Sequence, residues 1–81
     1  MFYTYILNSL KNNSYYVGSC NNIENRLSLH NSGQVFSTKR YMPWKLVHLE
    51  EYKILSEAVK RERQIKSWKK RSAIENLIKK V

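Results

Sequence analysis

One cysteine, one proline, two glycines and six acidic side chains among 81 residues set the first limits. With Cys20 alone, no disulfide can form within the chain and a zinc site of four cysteines is excluded. That usage suits a reducing, cytoplasmic compartment. No apolar run approaches the roughly 20 residues that span a bilayer, and the N-terminus lacks the basic-then-apolar pattern of a signal peptide, so no membrane association is expected. So few glycines and prolines impose few breaks, and neither a linker, a low-complexity tail nor a repeat is visible. Residues 1–81 therefore read as a single domain, expected to be a monomer. A chain this short buries roughly 60% of its unfolded surface and needs tight packing. Its 42% apolar and 12% aromatic residues leave material for a core.

Fifteen Lys and Arg against those six acids give a net charge of +9. Residues 1–52 carry five basic and three acidic groups, whereas residues 53–81 carry ten and three. Clustered positive charge speeds encounter with polyanions, of which nucleic acid is the commonest in cells, although an anionic membrane surface would attract the same charge and a solvated basic face needs no partner at all.

Residues 2–7 and 15–17 are β-branched and aromatic, and the Asn- and Ser-rich stretch between them reads as the turn of a β-hairpin. Gly18 is expected to end the second strand. Asn21 or Asn22 can cap a helix over residues 22–31, in which Ile23, Leu27 and His30 share a face. Residues 32–43 read as an irregular loop, of the ordered kind that tends to carry function. A third strand over 44–52 follows, then a helix capped by Ser56 and running to about Trp68. A capping box at Ser72 and Glu75 opens a last helix with Ile74, Leu77, Ile78 and Val81 as its stripe. The order ββαβαα, with an antiparallel three-stranded sheet flanked by three helices, is an α+β fold.

Several polar residues fall where packing alone would not put them. At about 100° per residue Glu62 lies about 40° from Ala58, inside an apolar stripe that includes Ile65. A carboxylate there is costly unless it is paired, as with Lys66 one turn on, or holds a metal. Arg26 and His30 sit side by side at the edge of the first helix's packing face. Together they can hold a phosphate and position a proton, although separately each is an ordinary edge residue. Cross-strand tyrosines such as Tyr3, Tyr5 and Tyr16 normally pack; a chemical role needs a neighbouring cation at the phenol.

These residues resemble a known family. Tyr3-Thr4-Tyr5, followed eleven residues later by Tyr16-Val17-Gly18, then Arg26, His30 and the helical Glu62, resembles the GIY-YIG endonuclease domain over essentially the whole chain, and most resembles its small single-domain bacterial branch. Tyr3 stands where many relatives have the first glycine, and the polar Asn that many carry near the domain end has no counterpart. The resemblance implies a metal-dependent endonuclease that hydrolyses phosphodiester bonds in nucleic acid, with DNA the foremost substrate and repair or recombination the setting. It implies Glu62 as ligand of Mg²⁺ or Mn²⁺, Arg26 on the non-bridging phosphate oxygens, Tyr5 as general base with Tyr16 beside it, and His30 orienting the group. In the 32–43 loop, Thr38, Lys39, Arg40 and Tyr41 are expected to bind the nucleic acid, the cations at phosphates and Tyr41 on an unpaired base. The basic residues from Lys60 to Arg71 read as a solubilising face. A nucleic-acid-binding module without turnover is the alternative, and a scaffold for an acidic partner or membrane surface is the third.

Overall fold

In the computed structural model residues 1–79 are described, so Val81 of the expected last stripe lies outside the described residues. Strands β1 (Phe2–Ser9) and β2 (Tyr15–Cys20), helix α1 (Ile23–Asn31), a 3-10 turn (Lys39–Tyr41), strand β3 (Trp44–Tyr52) and helices α2 (Leu55–Ser67) and α3 (Arg71–Lys79) follow one another. The sheet is antiparallel in the order β2-β1-β3, which makes β1 central and β2 an edge. Fold class and element order are those the sequence predicts.

Alternation along β1 divides the core into two layers. Tyr5 and Leu7 pack with Cys20, Trp44, Tyr16 and the α1 residues Ile23 and Leu27. On the other face Ile6 packs with Val17 and Ile65 of α2, and with Trp68, Ile74, Leu77 and Ile78 around them. Thr4, also on that face, donates its hydroxyl to the Ala58 carbonyl at 2.7 Å, which ties α2 to the central strand. Cys20 is buried, and burial pushes its thiol pKa upward.

Three local expectations are corrected. Strand β2 continues through Gly18 to Cys20, because Gly18 pairs with Tyr5 and leaves room for that ring. Helix α2 starts at Leu55 with Ile54 at the cap position and no side-chain cap, so Ser56 lies inside the first turn. Helix α3 starts at Arg71, which places Ser72 inside it as well; Glu75 instead pairs with Arg71 at 3.4 Å. Both helices thus begin one residue before the serine, and neither serine serves as a cap. Asn22 does cap α1, its side chain accepting from the Asn25 amide at 3.0 Å.

A polar clasp joins β3 to α2. Glu50 accepts from Arg61 Nε at 2.8 Å and Tyr52 at 2.7 Å, and its other oxygen lies 2.8 Å from His48 Nε2. Burial alone would raise its pKa, but these donors together hold it at about 2. Among the described residues no helix is long and apolar enough to cross a membrane.

Candidate active site

Antiparallel register sets Tyr5 opposite Gly18 and Leu7 opposite Tyr16, which brings two tyrosine rings together on the α1 face with centroids 6.3 Å apart. A methyl group at Gly18 would stand 2.5 Å from the Tyr5 hydroxyl, so the Tyr5 side chain runs directly over the glycine. Helix α1 then supplies Arg26 and, one turn on, His30. The His30 ring lies 4.9 Å from that of Tyr16. Its Nε2 is 3.1 Å from the Tyr5 hydroxyl and its Nδ1 is 2.7 Å from the Thr38 hydroxyl.

Tyr5 and His30 are each 1% exposed and Thr38 is fully buried, so this line of three groups is closed to solvent along its length. Burial lowers the His30 pKa and Arg26 lowers it further, which keeps the imidazole neutral at pH 7. A neutral imidazole carries one N–H. In one arrangement Tyr5 donates to Nε2 and Nδ1–H donates to Thr38; in the other Thr38 donates to Nδ1 and Nε2–H donates to Tyr5. The two differ in which ring nitrogen carries the hydrogen and in the rotation of the two hydroxyls, with Tyr5 and Thr38 protonated in both. Burial raises the Tyr5 pKa well above the ordinary phenol range, Tyr16 adds to the rise, and the charge of Arg26 opposes it. Tyr5 is therefore a protonated phenol at neutral pH. Tyr16 is only half-buried.

Glu62 approaches from the opposite face. Its Oε1 accepts from Ser19 at 2.7 Å and its Oε2 from Lys66 at 2.6 Å, with the side chain 18% exposed. The carboxylate thus sits at the rim of the stripe rather than within it, and the pairing with Lys66 weighed from the sequence is present. Ser19 and Cys20 are consecutive on the edge strand and point to opposite faces; Glu62 holds Ser19, while Arg26 lies near enough to Cys20 to influence its thiol. The two charged groups accordingly flank the same stretch of β2, with no further strand beyond it among the described residues.

No group of three or more His, Cys, Asp or Glu converges among the described residues, and at this edge the carboxylate next to Ser19 is that of Glu62. A single carboxylate completed by waters is a common way to hold Mg²⁺, and Glu62 fits that role if Lys66 yields its oxygen.

The loop corrects one expectation. Thr38 faces inward onto His30, and its carbonyl accepts from Trp44 Nε1 at 2.9 Å, so it cannot touch a nucleic acid. Lys39 and Arg40 are exposed, and Tyr41 is half-buried against the core around Tyr5. Three contributors escaped the sequence reading: Thr38 as the support of His30, Ser19 as the support of Glu62, and Phe36, an exposed aromatic beside Lys39. A fourth, Asn31, joins the end of α1 to β3 through paired bonds to the Trp44 backbone at 2.6 and 2.9 Å.

A family model described as the GIY-YIG catalytic domain matches residues 1–77. The chain is 48% identical over 66 residues to a UPF0213 protein of Syntrophus aciditrophicus, covering 79% of this chain and 75% of that one. It is 37% identical over 73 residues to a UPF0213 protein of Staphylococcus haemolyticus, covering 89% and 88% of the two. Among solved structures, the solution NMR structure of a UPF0213 protein of Bacillus halodurans superposes with a TM-score of 0.61 at 30% identity, over 98% of this chain and 84% of that one.

Proposed function

The chain belongs to the GIY-YIG catalytic-domain family, and from that premise we propose that it is an endonuclease that hydrolyses phosphodiester bonds of nucleic acid, DNA foremost, with Mg²⁺ or Mn²⁺ held at Glu62. The observation that carries this reading is the buried line Tyr5–His30–Thr38 with Arg26 alongside it. Packing alone does not require a neutral histidine bonded through both nitrogens next to a guanidinium.

Hydrolysis needs a water deprotonated, charge held on the phosphate and a leaving oxygen stabilised. Arg26 supplies fixed donors for the non-bridging oxygens, an electrostatic role of about 3 kcal/mol in comparable sites. Tyr5, expected from the resemblance to be the base, is sealed from solvent with its pKa raised, so in this proposal the base is Tyr16, the phenol that water and substrate reach. Tyr5 keeps its proton, and with His30, itself held by Thr38, it packs against the Tyr16 ring and fixes its position. Glu62, oriented by Ser19, holds the divalent ion, which when bound stabilises negative charge on the leaving oxygen.

The ion pair between Lys66 and Glu62 favours the second reading, a binding module in which the carboxylate is occupied and turnover is lost. One experiment separates the two. Purified protein is incubated with single-stranded, duplex and branched DNA and RNA, with Mg²⁺, with Mn²⁺ and with chelator. Cleavage that requires the metal and disappears in Arg26→Ala supports the nuclease. Binding without cleavage under every condition selects the module, and cleavage undiminished by chelator overturns the role of Glu62.

A further inference from the structure

The loop between α1 and β3 turns its residues in opposite directions. Thr38 points into the protein and is bonded to His30, whereas Phe36, two positions earlier, is 86% exposed. A phenylalanine this open in a small domain leaves most of its ring in water, and nothing in the core explains it. Its surroundings are specific. Lys39 Nζ stands 5.3 Å from the ring centroid, and Phe36, Ser37, Lys39, Arg40 and Tyr41 line a half-open cavity of about 340 Å³ with no acidic residue among them. Lys11, from the β1–β2 turn, braces the loop by donating to the Arg40 carbonyl at 3.1 Å. The backbone under the ring is fixed too, since the Thr38 and Lys39 amides both donate to the Val35 carbonyl, at 3.1 and 3.0 Å.

We propose that Phe36 is a stacking platform for an unpaired nucleobase, with Lys39 and Arg40 on the phosphates beside it, so that the substrate class is nucleic acid with a single-stranded segment next to the scissile bond. The inference rests on the nuclease reading and narrows it. An aromatic face flanked by cations is the combination that single strands recognise, because every base has a π-face and every nucleotide a negative charge. In a duplex both faces of each base are covered by neighbours, so an outward ring finds a partner only where a base is unpaired. The platform is also coupled to the chemistry: Thr38, one residue before Lys39, is the group that holds His30. A strand gripped at Phe36 is therefore gripped beside the candidate active site. Tyr41, half-buried, is left as a wall of the cavity and not as the stacking residue.

The test measures affinity in chelator, so that no strand is consumed, for a short single strand carrying 2-aminopurine and for a blunt duplex of the same sequence. Wild type is expected to bind the single strand more tightly and to quench its 2-aminopurine emission. Phe36→Ala and Phe36→Leu should each weaken single-strand binding by roughly 5- to 100-fold and abolish the quench, while Phe36→Trp preserves both. Duplex affinity should change less than about twofold, and the salt slope should be unaltered by Phe36→Ala but flattened by about one unit for each of Lys39→Ala and Arg40→Ala. Single-strand binding by Phe36→Ala at the wild-type level would overturn the proposal. So would a Phe36→Ala change confined to sedimentation, which would make the ring a contact between two copies, or one confined to binding of an acidic peptide. The nuclease reading is judged separately with metal present. Stacking by a protein that cleaves nothing sinks that reading and supports the platform, and duplex cleavage untouched by Phe36→Ala in a protein that shows no quench sinks the platform alone.

Discussion

Replacing Gly18 by alanine puts a methyl carbon 2.5 Å from the Tyr5 hydroxyl oxygen and 2.7 Å from the ring carbon that bears it. The sign of the effect is decided by whether the ring can give way. Were the space open, alanine in a strand would stabilise by about 0.4–1 kcal/mol through the unfolded chain. The ring is not free to move, however: it is 1% exposed and its hydroxyl is held by His30 at 3.1 Å. Overpacking of this kind costs about 1–3 kcal/mol, and loss of the bond to His30 adds about 1 kcal/mol. The net expectation is a loss of roughly 2–4 kcal/mol, which in a domain of this size lowers the melting temperature by roughly 10–25 °C. Thermal and urea unfolding followed by circular dichroism read it directly. Tyr5→Phe removes the atom nearest the new methyl, so in that background Gly18→Ala should be less harmful, with a coupling of about 1 kcal/mol between the two positions. A Gly18→Ala protein as stable as wild type, or a double mutant that is strictly additive, would refute the argument that this glycine exists to admit the tyrosine.

Three further outcomes follow from the geometry. Glu50 has an ordinary pKa of 4.5 and a folded value of about 2, so its clasp contributes roughly 3 kcal/mol that is fully present above pH 4.5 and lost as pH falls toward 2; the acid limb of a stability profile should flatten in Glu50→Gln, and an unchanged limb would deny the clasp. Thr38→Val keeps the shape but strips His30 Nδ1 of its partner, at about 1–3 kcal/mol of stability; turnover should fall together with a shifted pH–rate profile and return in Thr38→Ser, and a profile unmoved by the valine would reduce Thr38 to a packing residue. Glu62→Gln should cut metal-dependent cleavage at least about 100-fold while changing stability by less than about 1 kcal/mol, because its partner Lys66 is half exposed; wild-type turnover would leave Glu62 as no more than a surface ion pair.

The strands and the order of elements along the chain were legible because alternation of aromatic and β-branched residues survives in any context, and the helices because their apolar stripes do. The neighbourhood of Arg26 and His30 was equally legible, since helical spacing alone sets them one turn apart. Glu62 was half legible: a helical wheel gives its angle but not its height, and it is height that lets the carboxylate clear the core and meet Ser19 at the sheet edge. The loop was the least legible. Thr38 and Phe36 have no periodicity to declare which faces in, and their opposite directions are set by bonds to Val35, His30 and Trp44 that lie outside any local pattern. The caps expected at Ser56 and Ser72 were misplaced by one position, each helix beginning one residue before the serine.

Cys20 offers an experimental handle that the rest of the fold does not. It is the only thiol in the chain, it ends the edge strand with its side chain buried in the core around Tyr5, and its raised pKa keeps it in the unreactive protonated form. A thiol reagent can therefore react only during the moments when this strand opens, and the rate of labelling becomes a clock for those moments without any engineered probe. At low reagent the rate reports the fraction of time open, and at high reagent it reports the opening frequency itself. Comparing that fraction with global unfolding tells whether β2 peels away alone, beneath Gly18 and Ser19, or only when the whole molecule unfolds. Added oligonucleotide that bridges Arg26 and Glu62 across the edge would slow the clock, so a reagent blind to nucleic acid would register its binding.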